Sequence, residues 1–195
     1  MQEQDTATLP PDLRQLVDDW LEIERQTDAL VGPLDDEQFN WCPAAGAWSI
    51  GQCLDHLNTM NAEYLDRIKT AIFEAKAAGH VRRGPISSTW WGRKFIASQE
   101  PPVRMKFRTP GRMRPARRKL KAEVWPEFVR LHGQLRTIVT VDAPRVDLNK
   151  ARFPNPFVPA VTMRAGTALY ALAAHDRRHL AQAQHVRAMA GFPRS

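Results

Sequence analysis

Apolar residues return at helical spacing in four stretches of this chain, each bounded by residues that start or stop helices. Leu13, Leu16, Val17, Trp20, Leu21 and Leu30 follow the tripeptide PPD, whose prolines suit a first turn and whose Asp12 complements the positive end of a helix. This predicts a first helix from Leu13 to Leu30. The next stretch, VGPLDDEQFNWCPAAGAWS, is rich in Gly, Pro and Asp, so it reads as a connection that presses Leu34, Phe39, Trp41 and Trp48 onto the core. Ser49 has the chemistry of an N-cap. Beyond it, Ile50, Leu54, Leu57, Tyr64, Ile68 and Ile72 form the inward stripe of a second helix from about Ile50 to Ala78.

The helical pattern stops at 79–114, where Gly79, Gly84, Pro85, Pro101, Pro102, Pro110 and Gly111 imply a long loop. Within it, TWWGRKFI suits a short helix or strand, and VRMKFRT alternates apolar with basic residues as an exposed extended piece does. A loop of this length in a compact domain points to a functional element covering a site. After Pro115, Val124, Phe128, Leu131, Leu135 and Ile138 step by four and three, giving a third helix. Residues 143–163 carry Pro144, Pro154, Pro156 and Pro159 and read as a long crossover. A fourth helix follows, roughly Arg164 to Ala190, closed by Gly191 and Pro193. Four amphipathic helices, no convincing strands and no internal repeat predict an all-α four-helix bundle with long crossover loops, formed by residues 1–195 as a single domain.

Length agrees, since 195 residues suffice for one domain with its own core. Cys42 and Cys53 lie eleven apart without a CxxC pattern, so neither a disulfide framework nor a thiolate zinc site is indicated. The polar N-terminus and the absence of any run of about 18 apolar residues predict a soluble cytoplasmic protein with no membrane partner. The net charge of +7 is local: residues 79–121 hold thirteen Lys and Arg against one acid, Glu100, while the rest of the chain holds fifteen basic and twenty acidic residues. With Phe95, Phe107, Trp90 and Trp91 interleaved, this segment has the composition of a phosphate-backbone or single-strand binder. No helix-turn-helix, zinc finger or RNA-binding signature accompanies it, and the acids of the helices can neutralise it internally, so nucleic acid is not the expected partner.

The residues with metal chemistry are histidines. His175 and His179, in ALAAHDRRHLAQAQHV, are four apart and thus about 40° around a helix from each other, so both rings can converge on one point. The pair fits a metal site and also fits two histidines on a solvated face. Leu172, His175, His179, Gln182 and Val186 continue one three-four stepping, which places both rings on or near the inward stripe. His56, in GQCLDHL, lies at the edge of the stripe made by Ile50, Cys53, Leu57 and Met60, and bundles build metal sites from residues projecting off facing helices. Around these, Gln52 and Glu63 either border a pocket or are polar surface residues. Asp55 and Asp176 are candidates to orient a ring from the second layer, although Asp176, Arg177 and Arg178 suit surface pairs or a tie to a neighbouring loop. His80, His132 and His185 fall outside the converging set. Trp90 and Trp91 suit core packing of the loop, a lid or a dimer contact.

WSIGQCLDHLNTMNAEYL followed far downstream by HDRRHLAQAQHV resembles the DinB/YfiT-like superfamily of metalloenzymes, and WWGRKFI, PPVRMKFRTP and RMRPA resemble the basic, proline-bearing loop of one DinB-like branch. The resemblance covers nearly the whole chain. It implies a four-helix bundle with metal ligands His56, His175 and His179, and either hydrolase-like chemistry or transfer of a low-molecular-weight thiol of the bacillithiol or mycothiol type to a small-molecule substrate. Related bundles commonly pair, so it also implies a homodimer. Three neutral imidazoles leave coordination positions open, as catalytic sites do, and nitrogen ligands suit nickel, zinc, iron or manganese alike. No general base stands out. The alternative is a metal-stabilised binding module whose basic loop holds an anionic partner such as nucleic acid.

Overall fold

The structure is a computed structural model that describes residues 8–102 and 111–193. All four predicted helices are present. Helix α1 spans Pro11–Val31 and starts as read, with proline at its first position and Asp12 in its first turn. Its buried face runs Leu13, Leu16, Val17, Trp20, Ile23, Leu30; Leu21, assigned to the apolar series above, points off that face and is 47% exposed. The connection that follows contains a short helix, α2 (Asp36–Asn40), opened by a capping box in which Asp35 and Gln38 satisfy each other's backbone N–H. Leu34 and Phe39 are buried from it, and Trp41 and Trp48 pack against the core.

Helix α3 spans Ile50–Ala77 and begins with a second capping box: Ser49 Oγ accepts from Gln52 N at 3.0 Å while Gln52 Oε1 accepts from Ser49 N at 3.1 Å. Gly51 in this first turn lies hard against the Phe39 ring, where an added Cβ would stand 2.7 Å from a ring carbon. Glycine is what lets the helix start this close to the connection.

The segment after α3 is more ordered than a loop. Arg82 donates twice to Asp12 at 2.8 Å, Ile86 N donates to the same carboxylate at 2.8 Å, and Ser87 N donates to Asn149 at 2.8 Å. These bonds carry the chain into helix α4 (Trp90–Gln99), capped by Thr89, so TWWGRKFI is helical. Core packing of the tryptophan pair is overturned. No α4 residue is buried, and Trp90 and Trp91 remain 53% and 77% exposed. The VRMKFRT piece lies outside the described residues.

Helix α5 (Lys121–Thr137) continues into a π turn, Ile138–Asp142. The expected structureless crossover instead contains a small hairpin. Strand β1 (Arg152–Pro154) pairs antiparallel with β2 (Thr162–Arg164) in the register Phe153 opposite Met163. This corrects the reading of no strands, and the reason is local: three residues per strand are too few to show a period of two. Helix α6 (Ala165–Arg187) follows directly, and its first N–H groups, left without intrahelical partners, donate to crossover carbonyls at Ala151 (2.8 Å) and Leu148 (3.2 Å). Among the described residues the fold is mostly helical. The core lies where α3 packs on α5 and α6 and α1 packs on the same two helices, with Trp20, Leu54, Leu57, Phe128, Leu131 and Leu135 sealed from solvent. Each such side chain contributes roughly 1.5–3 kcal/mol by leaving water. Helix α4 lies on the outside of α6. No described helix is long and apolar enough to cross a membrane.

Candidate metal centre

The packing of α3 on α6 brings His56 against His175 and His179. One ring nitrogen from each lies within 4.8 Å of those of the other two. Ring centroids are 5.2 Å apart for His56 and His175, 4.8 Å for His56 and His179, and 4.6 Å for His175 and His179. All three are buried. The four-residue step on α6 and the facing turn of α3 produce this convergence.

The hydrogen bonds around the rings define which lone pairs are available. His56 Nδ1 lies 2.8 Å from the Met113 carbonyl, an obligate acceptor, so Nδ1 carries the proton and Nε2 is bare. His179 Nδ1 lies 3.0 Å from Gln182 Oε1, which favours the same tautomer. His175 Nδ1 is buried with no hydrogen-bond partner among the described residues, the mark of a group whose natural partner is an ion or a water. Burial lowers the pKa of all three rings. For His56 the Met113 carbonyl and the charges of Asp176 and Asp55 oppose the shift; for His175 and His179 the neighbouring rings and Arg178 add to it, and His179 falls to about 3. The cluster is therefore neutral near pH 7. Neutral imidazoles are the ligand form, so the donor set, the bare nitrogens and the unpartnered atom all fit a divalent ion.

Two carboxylates support this cluster without pointing into it. Asp55 accepts from Ala116 N at 2.8 Å and pairs with Lys119 at 2.8 Å, which pins the segment that presents the Met113 carbonyl to His56. It thus orients a ring through a loop rather than by touching it. Asp176 is not at the surface, as read above, but fully buried: Asn61 donates to both its oxygens at 3.3 and 3.2 Å, and His132 Nε2 lies 3.0 Å from Oδ2, off the line of a hydrogen bond. His132, set aside above as ordinary, is itself fully buried on α5. Arg177 and Arg178 do tie down a neighbour: Arg177 pairs with Glu100 and with Asp19 (3.2 Å), and Arg178 donates to the Ser98 carbonyl at 3.0 Å, fastening the end of α4 to α6.

Trp48 is the site residue that pattern reading missed. Its ring stacks on His179 at 5.6 Å and 23° and lies 5.0 Å from His56. Its position just before the N-cap of the helix that carries His56 is the one signal that pointed there. Gln52 is used in the capping box, Glu63 and His185 are exposed, and His80 is half-buried away from the cluster.

Two central helices of this helical protein converge three buried imidazoles, a group that could hold a metal ion. The family model of the DinB superfamily matches residues 20–183, which include all three histidines. The chain belongs to the DinB superfamily. No curated protein and no solved structure matches it.

Proposed function

We propose that this chain is a metal-dependent enzyme in which α1, α3, α5 and α6 form a four-helix bundle and His56, His175 and His179 hold one divalent ion. The observation that carries the reading is the meeting of three buried, neutral rings from two helices, with the Nδ1 proton of His56 fixed away from the centre. A bound zinc, nickel, iron or manganese ion supplies Lewis acidity at its remaining positions, lowering the pKa of a water or a thiol there. The chain's own residues do the rest. Met113 holds the His56 tautomer, Trp48 covers the His56 and His179 faces and excludes water, and buried Asp176 adds a negative charge that attracts a cation without competing as a ligand.

The reaction this supports is attack of a low-molecular-weight thiol on an electrophile, which loses its leaving group while the thiol proton is released, or hydrolysis of a substrate by water; a bound metal would supply the acidity that either needs. A binding module built on the basic segment is less favoured, because Arg82 and Lys119 are spent on Asp12 and Asp55 within the chain. The test is elemental analysis of purified protein beside a His175→Ala/His179→Ala variant, followed by turnover of a thiol panel (cysteine, glutathione, bacillithiol, mycothiol) with an aryl halide before and after chelation. About one equivalent of metal in the wild type, none in the variant, and turnover that returns with metal support the proposal. Metal bound equally by both proteins, or turnover indifferent to chelation, refutes it.

A further inference from the structure

A cavity of about 430 Å³ opens between α4, the β1–β2 hairpin and the first turn of α6. Its volume is that of a small-molecule site, roughly 300–1,000 Å³. None of the three clustered histidines lines it. Thr167, which does, precedes His175 by two turns of α6, about 12 Å along the axis at 1.5 Å per residue.

Its lining combines apolar and cationic side chains. Trp91 and Phe95 on α4, with Val158 and Val161 from the hairpin tip, stand 77%, 37%, 53% and 50% exposed. Scattered exposed apolar residues are ordinary, but these four face one concavity from two separate elements. Arg152 and Arg164 also line it and sit opposite each other on the paired strands, and among the described residues no Asp or Glu lines the cavity. Arg164 donates to the Ser87 carbonyl at 3.2 Å, whereas Arg152 has no hydrogen bond or ion pair among the described residues. Asn155 is buried and fully used, donating to Tyr64 Oη at 2.9 Å and accepting from Phe157 N and Val158 N, which ties the hairpin turn to α3. Gly166 lets α6 begin against Ile86, where a Cβ would lie 2.5 Å from a side-chain methyl, and this draws the segment leading into α4 close to the hairpin.

From this arrangement we infer that the cavity binds a small amphiphilic organic anion, its apolar body against Trp91, Phe95, Val158 and Val161 and its anionic head on Arg152 and Arg164. Charge complementarity selects this occupant over a second copy of the chain. A two-fold contact through this face would set the same two arginines against their own images, and like charges meeting across an isologous interface oppose it. The inference stands apart from the metal reading, since it uses no histidine of the cluster.

The experiment is calorimetric titration with octanoate and with octan-1-ol, which share an apolar body and differ in charge. It uses wild type, Arg152→Gln, Val161→Trp and the His175→Ala/His179→Ala variant. Octanoate is expected to bind about tenfold more tightly than octan-1-ol, and Arg152→Gln to weaken it by a similar factor, as loss of a charge-assisted hydrogen bond does. Val161→Trp, which fills the cavity from an exposed position, abolishes binding; the histidine variant binds as wild type does. Equal affinity for acid and alcohol, indifference to Arg152→Gln and Val161→Trp, or no octanoate binding in the millimolar range overturns the inference. So does loss of octanoate binding in the histidine variant, which would place the carboxylate on the metal site instead. Sedimentation of wild type and Trp91→Ser decides the remaining occupant: a dimer that dissociates in the variant overturns the inference, and an unchanged state supports it.

Discussion

Acidification of the metal-free protein isolates the energetic cost of placing three imidazoles in a dry cluster. Each ring has a folded pKa below its unfolded value of about 6.5, so the unfolded chain binds more protons than the folded one below that pH. Stability from this source is fully present above about pH 6.5 and is lost as pH falls toward the folded values, near 3 for His179. At pH 5 an unfolded histidine gains about 2 kcal/mol relative to pH 7 by protonation, at 1.36 kcal/mol per unit. His179, which stays neutral in the fold to pH 5, accounts for a loss of about 2 kcal/mol, and His175 adds a loss of the same sign, against a typical domain's stability of roughly 5–15 kcal/mol. Urea unfolding in a chelating buffer at a series of pH values measures this directly. The comparison is a His175→Asn/His179→Gln variant, which should lose less stability than wild type between pH 7 and 5, by about 2 kcal/mol or more. A variant with the same pH dependence as wild type would show that the rings titrate normally and that the dry cluster is wrong.

Other consequences are local. Asp55→Ala should free the segment that presents Met113, raising amide exchange at Ala116 and weakening metal binding by about tenfold, as loss of outer-layer support does; unchanged exchange would deny Asp55 its anchoring role. Gly51→Ala drives a methyl into the Phe39 ring and should destabilise by about 1–3 kcal/mol in denaturant melts, whereas helix propensity alone would predict stabilisation by about 1 kcal/mol. Arg82→Ala removes both bonds to Asp12 and should expose 82–89 to limited proteolysis with little change in the helical signal by circular dichroism; resistance equal to wild type would count against that anchor.

By itself the sequence determined the long helices and the pairing of His175 with His179 on one helix face, because both rest on short-range periodicity; His56 joined them through the family resemblance. Ser49 and Gln52 declare a helix start within four residues, and the step from His175 to His179 is a property of one helix turn. Tertiary structure alone decided what lies between and beneath them. Asp176 and His132 are far apart in the chain and each reads as an ordinary polar residue; only the docking of α5 on α3 and of α3 on α6 buries them in contact. Trp48 reads as core until the fold lays it on His179, and Trp91 reads as core until α4 proves to lie outside α6. The strands of the hairpin at residues 152–164 are too short to carry a period, and its register comes from pairing with residues eight to twelve positions away. Patterns of burial are written locally because they follow the geometry of one element. The partners of a buried charge and the faces of a cavity depend on how elements are placed against one another, and no single stretch of chain encodes that.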